Sequence, residues 1–256
     1  MTIPLVAAGV FGLMIGSFLN VCIGRLPAGE SVVSPGSRCP KCRHAIAWYD
    51  NVPVLSYLLL GGRCRHCRSG ISARYPAIEL LTAALFVLQA AWFLEATPIF
   101  LAGRLVFTAL LIVLFWTDFD TMRLPNVITY PGIVVGLVFS SLAAPGIMAS
   151  AGGAALGAGI LLVIRWLWKR ATGVDGMGLG DVKMLAMIGA FLGWQSVFVV
   201  LFLSTLAGAV VGLSLAGIGR RSLQARLPFG TFLAIAAYVA SLIGDDLMRW
   251  YLGFYV

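Results

Sequence analysis

Apolar runs of about twenty residues, divided by short loops that carry most of the charge, decide which solvent this chain can fold in. Runs long enough to cross about 30 Å of hydrocarbon lie near Ile3–Gly24, Tyr75–Ala96, Pro98–Thr117, Val127–Ala144, Ile147–Trp168 and Phe229–Leu252. The stretch Val182–Gly219 is too long for one helix and short for two. Gly189–Ser196 offers a turn inside it, so a short helix, a tight hairpin and a longer helix are expected there. Hydrocarbon cannot satisfy exposed backbone N–H and C=O groups. The expected fold is therefore an all-α polytopic membrane protein with about eight transmembrane helices. Composition argues the same way, since only 11% of the 256 residues are charged, against about a quarter in soluble domains. Thirty glycines suit helices that approach one another closely.

The net charge of +8 could signal nucleic acid, but its distribution argues against that. Arg25, Arg38, Lys41, Arg43, Arg63, Arg65, Arg68 and Arg74 fall in the first loop, and Arg123 follows the third run. Arg165, Lys169, Arg170 and Lys183 bracket the loop after the fifth run, and Arg220, Arg221 and Arg226 follow the seventh. With eight spans, all sixteen lie on one face, leaving Arg104 and Arg249 for the other. Basic loops stay in the cytoplasm, so the expected topology has both termini outside and residues 25–74 as a cytoplasmic loop. The segment before Gly24 lacks Lys and Arg, which reads as a retained span rather than a cleaved signal. The expected divisions are residues 1–24 as first helix, 25–74 as a cytoplasmic loop, and 75–256 as a transmembrane core of about seven helices.

That loop holds Cys39-Pro-Lys-Cys42 and Cys64-Arg-His-Cys67. Each C-x-x-C pair can offer two thiolates from one turn, and two turns complete a tetrahedral four-sulfur zinc site, as in a zinc ribbon. A closed site of this kind shapes the loop and performs no chemistry. Redox-active cysteines are the alternative. His44 and His66 read as neighbours of the site, and Cys22 as a small packing residue in the first span.

Ten acidic residues are few enough to sort singly, since charge at membrane depth is expensive and is a functional candidate by default. Asp118 and Asp120 close the third run and Asp181 opens the sixth, on the same face as the basic loops. Two aspartates close together share one proton, so that one activates a water while the other polarises a carbonyl. Glycines before Asp181 would let a peptide backbone approach. The bland alternative makes Asp181 a helix cap and both residues interfacial anchors. Asp120 projects away from Asp118 and reads as a solvated charge. Asp50 and Asp175 read as solvated, Glu95, Asp245 and Asp246 as interfacial charges at the outer boundary. Glu79 is expected to pair with Arg74 or Lys183, or else to line a polar pocket.

Gly16-Ser-Phe-Leu-Asn-Val-Cys-Ile-Gly-Arg-Leu-Pro27 resembles the N-terminal signature of type IV prepilin peptidases. The segments Cys39–Tyr57 and Gly62–Leu80 resemble that family too, as does the G-x-G-D element at Gly178–Asp181. The likeness runs from about residue 9 to about residue 250. It implies an inner-membrane enzyme that cleaves type IV prepilins or type II secretion pseudopilins after glycine. The same enzyme would then N-methylate the new terminus with S-adenosylmethionine. It also implies that Asp118 and Asp181 are catalytic, that residues 75–256 are the peptidase core, and that Cys39, Cys42, Cys64 and Cys67 hold zinc. Asn126 stands where the family often has Asp. No strand-led G-x-G-x-x-G unit marks a donor site. Asn20, Arg25, Asn51 and Glu79 are the candidates for it, as polar groups near the loop and the ends of the first two spans. Three other readings remain: a peptidase alone, a carrier or channel whose aspartates move ions, and a non-enzymatic assembly factor.

Overall fold

The computed structural model describes residues 2–217 and 227–253; Arg220, Arg221 and Arg226 lie outside them. The chain forms two compact units that divide at Ala96/Thr97. The second long helix belongs with the first, and glycine is the reason.

In the first unit α1 (Thr2–Arg25) and α3 (Arg74–Trp92) run antiparallel. Between them lie 3₁₀ turns at Leu26–Ala28 and Trp48–Asn51 and the short α2 (Leu55–Leu59). A Cβ on Gly12 would stand 2.6 Å from Ala83 Cα, and one on Gly16 2.7 Å from Glu79 Cα. Only glycine lets the backbones meet at that spacing. At the loop end of this seam Asn20 Nδ2 donates to the Tyr75 carbonyl at 3.1 Å. The seam thus fixes both flanks of the loop.

The second unit contains α4 (Pro98–Thr121), α5 (Asn126–Leu142), α6 (Ile147–Thr172), α7 (Leu179–Leu192), α8 (Trp194–Gly217) and α9 (Phe229–Leu252). Its centre is α7, where Met184, Leu185, Met187, Ile188 and Ala190 are fully buried. Gly132 and Gly136 of α5 face Met187 and Ala190, while Gly153 and Gly157 of α6 face the carbonyls of Gly189 and Leu185. Glycine surfaces on two neighbours therefore grip one short helix. The expected break inside Val182–Gly219 falls at Gly193, whose φ of +82° suits a residue without Cβ.

The eight expected spans correspond to α1 and α3–α9. Six of them (α1, α3, α4, α6, α8 and α9) are long and apolar enough to cross a membrane. The other two, α5 at 17 residues and α7 at 14, are shorter, and α7 reaches only about 21 Å at 1.5 Å per residue. Outward faces are apolar: Phe198, Phe202, Leu206, Val210 and Leu213 make an exposed stripe along α8. Water would penalise such a stripe, whereas lipid tails match it.

Candidate active site and metal centre

Asp118 sits three residues before the end of α4 and is 4% exposed. Met122, at φ +52°, closes the helix and donates its N–H to the Asp118 carbonyl at 2.8 Å. The carboxylate Oδ2 accepts the Thr231 N–H at 2.9 Å. Thr231 stands in the first turn of α9, where N–H groups lack helical partners and favour an anion. A Cβ on the adjacent Gly230 would come 2.8 Å from Asp118 Oδ2, so glycine keeps this approach open.

Asp181 occupies the first turn of α7, partly buried, behind an N-cap at Gly178 that has no side-chain capping bond. The capping alternative therefore does not describe it. Asp118 and Asp181 come near enough to repel one another electrostatically, although 63 residues separate them in sequence. Leu124, in the turn after α4, lies against both glycines of the site: a Cβ on Gly180 or on Gly230 would stand 3.1 Å from it. The two acids thus lie among glycines, with one leucine beside them.

Neighbouring residues hold this arrangement. Lys183 Nζ donates to Asn126 Oδ1 and lies 5.3 Å from the Tyr130 ring centre, so the amide at position 126 serves as the lysine's acceptor. Arg165 donates to the Met177 carbonyl at 2.6 Å and reaches Asp175 at 2.9 Å, with Lys169 at 3.4 Å from the same carboxylate. Asp175 is exposed, as expected, and is also a paired anchor for the loop before Asp181. Asp120 is exposed, as expected. Gly230, Thr231, Leu124 and Arg165 were not anticipated. Pro228-Phe-Gly-Thr opening an apolar run was the available signal, because glycine in a first helical turn invites close approach.

Substitution at Gly230 gives a direct check. Gly230→Ala would drive a methyl group against the Asp118 carboxylate, and a loss of activity of about a hundredfold is expected at nearly unchanged membrane level. Initial rates against immunoblotted protein would measure this.

In the first unit the four sulfurs of Cys39, Cys42, Cys64 and Cys67 lie within 4.8 Å of one another, with Cys39 Sγ 3.9 Å from Cys67 Sγ. Zn–S bonds of about 2.3 Å put tetrahedral sulfurs about 3.8 Å apart, so the cluster fits the metal. The two knuckles repeat each other. Arg43 and Arg68 follow the second cysteine of each pair at φ +56° and +57°. Their N–H groups return to the carbonyls of Cys39 and Cys64 at 2.8 and 2.9 Å. Backbone N–H groups of Cys42 and Lys41 stabilise the Cys39 thiolate and pull its pKa down to about 6, while the Ser69 hydroxyl lowers that of Cys67. His44 and His66 stack at 4.2 Å beside the cluster, and Cys22 is buried in α1.

A cavity of about 710 Å³ opens beside this centre, lined by Asn20, Arg25, Asn51 and Glu79 together with Cys39, Cys64, Tyr49 and Tyr57. All four donor-site candidates meet there, in different circumstances. Arg25 donates to the carbonyls of Ser31, Pro35 and Gly36 at 3.0, 2.8 and 3.2 Å, so its donors are engaged as a clamp on the loop. Asn20 ties α1 to α3 by its Nδ2. Glu79 takes the pocket-lining alternative; its Oε2 accepts the Val54 N–H at 2.7 Å. Asp50 is bound bidentately by Arg65 at 2.6 and 2.8 Å, which holds its carboxyl below the usual range; it is not a solvated charge.

Comparison with known proteins divides the chain similarly. Residues 10–93 match the Bacterial Peptidase A24 N-terminal domain, and residues 105–213 match the Type IV leader peptidase family. The prepilin leader peptidase/N-methyltransferase of Aeromonas salmonicida (strain A449) is 41% identical over 273 residues, covering 95% of this chain and 92% of that one. Its namesake in Aeromonas hydrophila is 41% identical over 271 residues with the same coverage. That of Pseudomonas aeruginosa is 38% identical over 273 residues, covering 96% and 92%. No solved structure gives a significant match. Near-complete coverage at this identity, joined to an aspartate pair and a four-cysteine centre, makes the chain a member of the prepilin leader peptidase/N-methyltransferase family.

Proposed function

We propose that this chain cleaves the leader peptides of type IV prepilins, and of pseudopilins where they are present, and then methylates the new N-terminus. The meeting of Asp118 and Asp181 at one glycine-walled site carries the peptidase half. Asp118 accepts a backbone N–H at the start of α9, one of the first-turn donors that a helix leaves without a partner. In this reading it takes a proton from the attacking water, while protonated Asp181 donates to the scissile carbonyl oxygen. The tetrahedral diol collapses as the C–N bond breaks. The proton held by Asp118 passes to the leaving nitrogen, and the diol returns the other to Asp181. The leader departs with a new carboxyl group, and the pilin with a free amine. Gly178, Gly180 and Gly230 leave room for the extended peptide.

The dyad end of the second unit carries Arg123, Lys169, Arg170 and Lys183. This supports cytoplasmic cleavage by a multi-pass inner-membrane enzyme with periplasmic termini.

For the methyltransferase half, the cavity of the first unit suits S-adenosylmethionine in size, since small-molecule sites run from about 300 to 1,000 Å³. Tyr49, Tyr57 and Tyr75 on its wall offer faces for the adenine and the sulfonium, with Asn20 and Asn51 as polar contacts. Zinc held by the four cysteines would tie the two knuckles into one wall of this cavity, with no position left open for substrate. Chemistry in the two units is then separable. The purified chain in liposomes should cleave a prepilin and move a labelled methyl group from S-adenosylmethionine to it. Stripping the metal with a chelator should lower methyl transfer at least about tenfold and leave most cleavage intact. A zinc-loaded preparation that cleaves but never transfers label would remove the methyltransferase half, and one that does neither would remove both.

A further inference from the structure

Glu79 is 7% exposed on a wall of the first-unit cavity. Its Oε2 accepts from a neutral donor, the Val54 N–H, and the Ser17 hydroxyl lies near it. The cavity's other carboxylate, Asp50, already has Arg65, and Arg25 is occupied by carbonyls. Glu79 is therefore a buried carboxyl with no ion-pair partner among the described residues, and its charged form is costly there unless a cation arrives. The local backbone is built around it. Val54 has a φ of +60°, a region a β-branched residue seldom enters, and this aims its N–H at the carboxylate. The close seam at Gly16 fixes the Glu79 backbone from the other side. Strain of this kind gathers where a group must be held in one orientation.

Resting on the methyl-transfer reading of this cavity, we propose that Glu79 receives the α-ammonium group of the cleaved pilin and accepts its proton during methyl transfer. An ammonium nitrogen has no lone pair with which to attack carbon. Transfer of one proton to the Glu79 carboxylate frees that pair. The nitrogen then forms a bond to the donor's methyl carbon as the carbon–sulfur bond breaks, its electrons remaining on sulfur. The products are a secondary ammonium, S-adenosylhomocysteine and a proton on Glu79 that leaves to water. The donor's sulfonium has no proton to give, so the ammonium is the cation that needs a base. His44 and His66, the cavity's imidazoles, are stacked on each other.

The full-length, zinc-loaded chain in liposomes tests this through binding as well as turnover. Three probes are used: a peptide with a free α-ammonium terminus, its N-acetylated form, and S-adenosylhomocysteine. Wild type should prefer the free terminus over the acetylated one. Glu79→Gln should lose that preference by about tenfold and methyl transfer by about a hundredfold, while cleavage and S-adenosylhomocysteine binding stay near wild type. Glu79→Asp keeps the charge but not the reach, and should regain part of the preference while transfer stays slow. The proposal is overturned if Glu79→Gln keeps the preference, if it loses S-adenosylhomocysteine binding instead, or if Asp restores no more than Gln. Wild type that binds no S-adenosylhomocysteine and moves no label would instead overturn the methyl-transfer reading itself.

Discussion

Exchanging either Asp118 or Asp181 for asparagine is expected to lower prepilin cleavage by about a thousandfold or more, because each change removes half of a coupled acid–base device. Asparagine keeps the volume of the side chain. At position 118 its amide oxygen can still accept the Thr231 N–H that ties α4 to α9. The variants should therefore insert and accumulate like wild type, and the loss should belong to chemistry. Unprocessed prepilin on a gel, set against immunoblotted enzyme in the same membranes, measures both. Cleavage that survives either exchange would return the carrier and assembly-factor readings to the front, since neither needs a shared proton.

The second large effect concerns the seam that holds α7. Gly153→Val would insert side-chain carbon where a Cβ already meets the Gly189 carbonyl oxygen at 2.5 Å, Gly193 C at 2.7 Å and Trp194 N at 2.9 Å. These are backbone atoms at the α7–α8 break and cannot rotate away. Overpacking a core costs about 1–3 kcal/mol even when side chains can adjust, and a domain has only about 5–15 kcal/mol in total. A destabilisation of about 3 kcal/mol or more is expected, and Asp181, on the same helix, should lose its position. Gly152 and Gly159 supply the control, since a Cβ at either meets nothing within 4 Å. Gly152→Val and Gly159→Val should leave melting temperature and cleavage close to wild type, with helix propensity changed by only a few tenths of a kcal/mol in their favour. Thermal unfolding of the detergent-solubilised proteins separates the three. A stable Gly153→Val enzyme would mean that α6 and α7 do not touch as described.

Legibility in the sequence followed the range of the forces involved. Apolar length announces helices whatever they pack against, so the long runs and the break near Gly193 were readable. Two C-x-x-C pairs announce a four-sulfur site because the chemistry lies in local turns, and Arg43 and Arg68 then adopt matching left-handed conformations. Asp118 and Asp181 were readable as rare charges at apolar boundaries. What stayed hidden depended on tertiary approach. Nothing local says that α3 belongs with α1; that follows from Gly12 and Gly16 meeting α3 edge to edge. Asp50 looks like a solvated loop charge until the fold brings Arg65 to it, and the pairing of exposed Asp175 with Arg165 is equally a product of the fold. Arg25 looks like a polar contact for the methyl donor until the loop turns three carbonyls toward it. Gly230 and Thr231 carried only the faint signal of a glycine in a first helical turn, because their role is to receive a side chain 113 residues away. Polar residues near the right depth were identifiable, and which of them keeps a free function was not.

Whether the two acids work as one device is best decided by single-turnover cleavage in one vesicle preparation, comparing Asp118→Asn, Asp181→Asn and the double variant. If the carboxyls share a single proton over a single water, the double variant should be no slower than the slower single one, since either loss already disables the pair. Losses that multiply, or a single variant that still cleaves at a useful rate, would mean that Asp118 and Asp181 act separately.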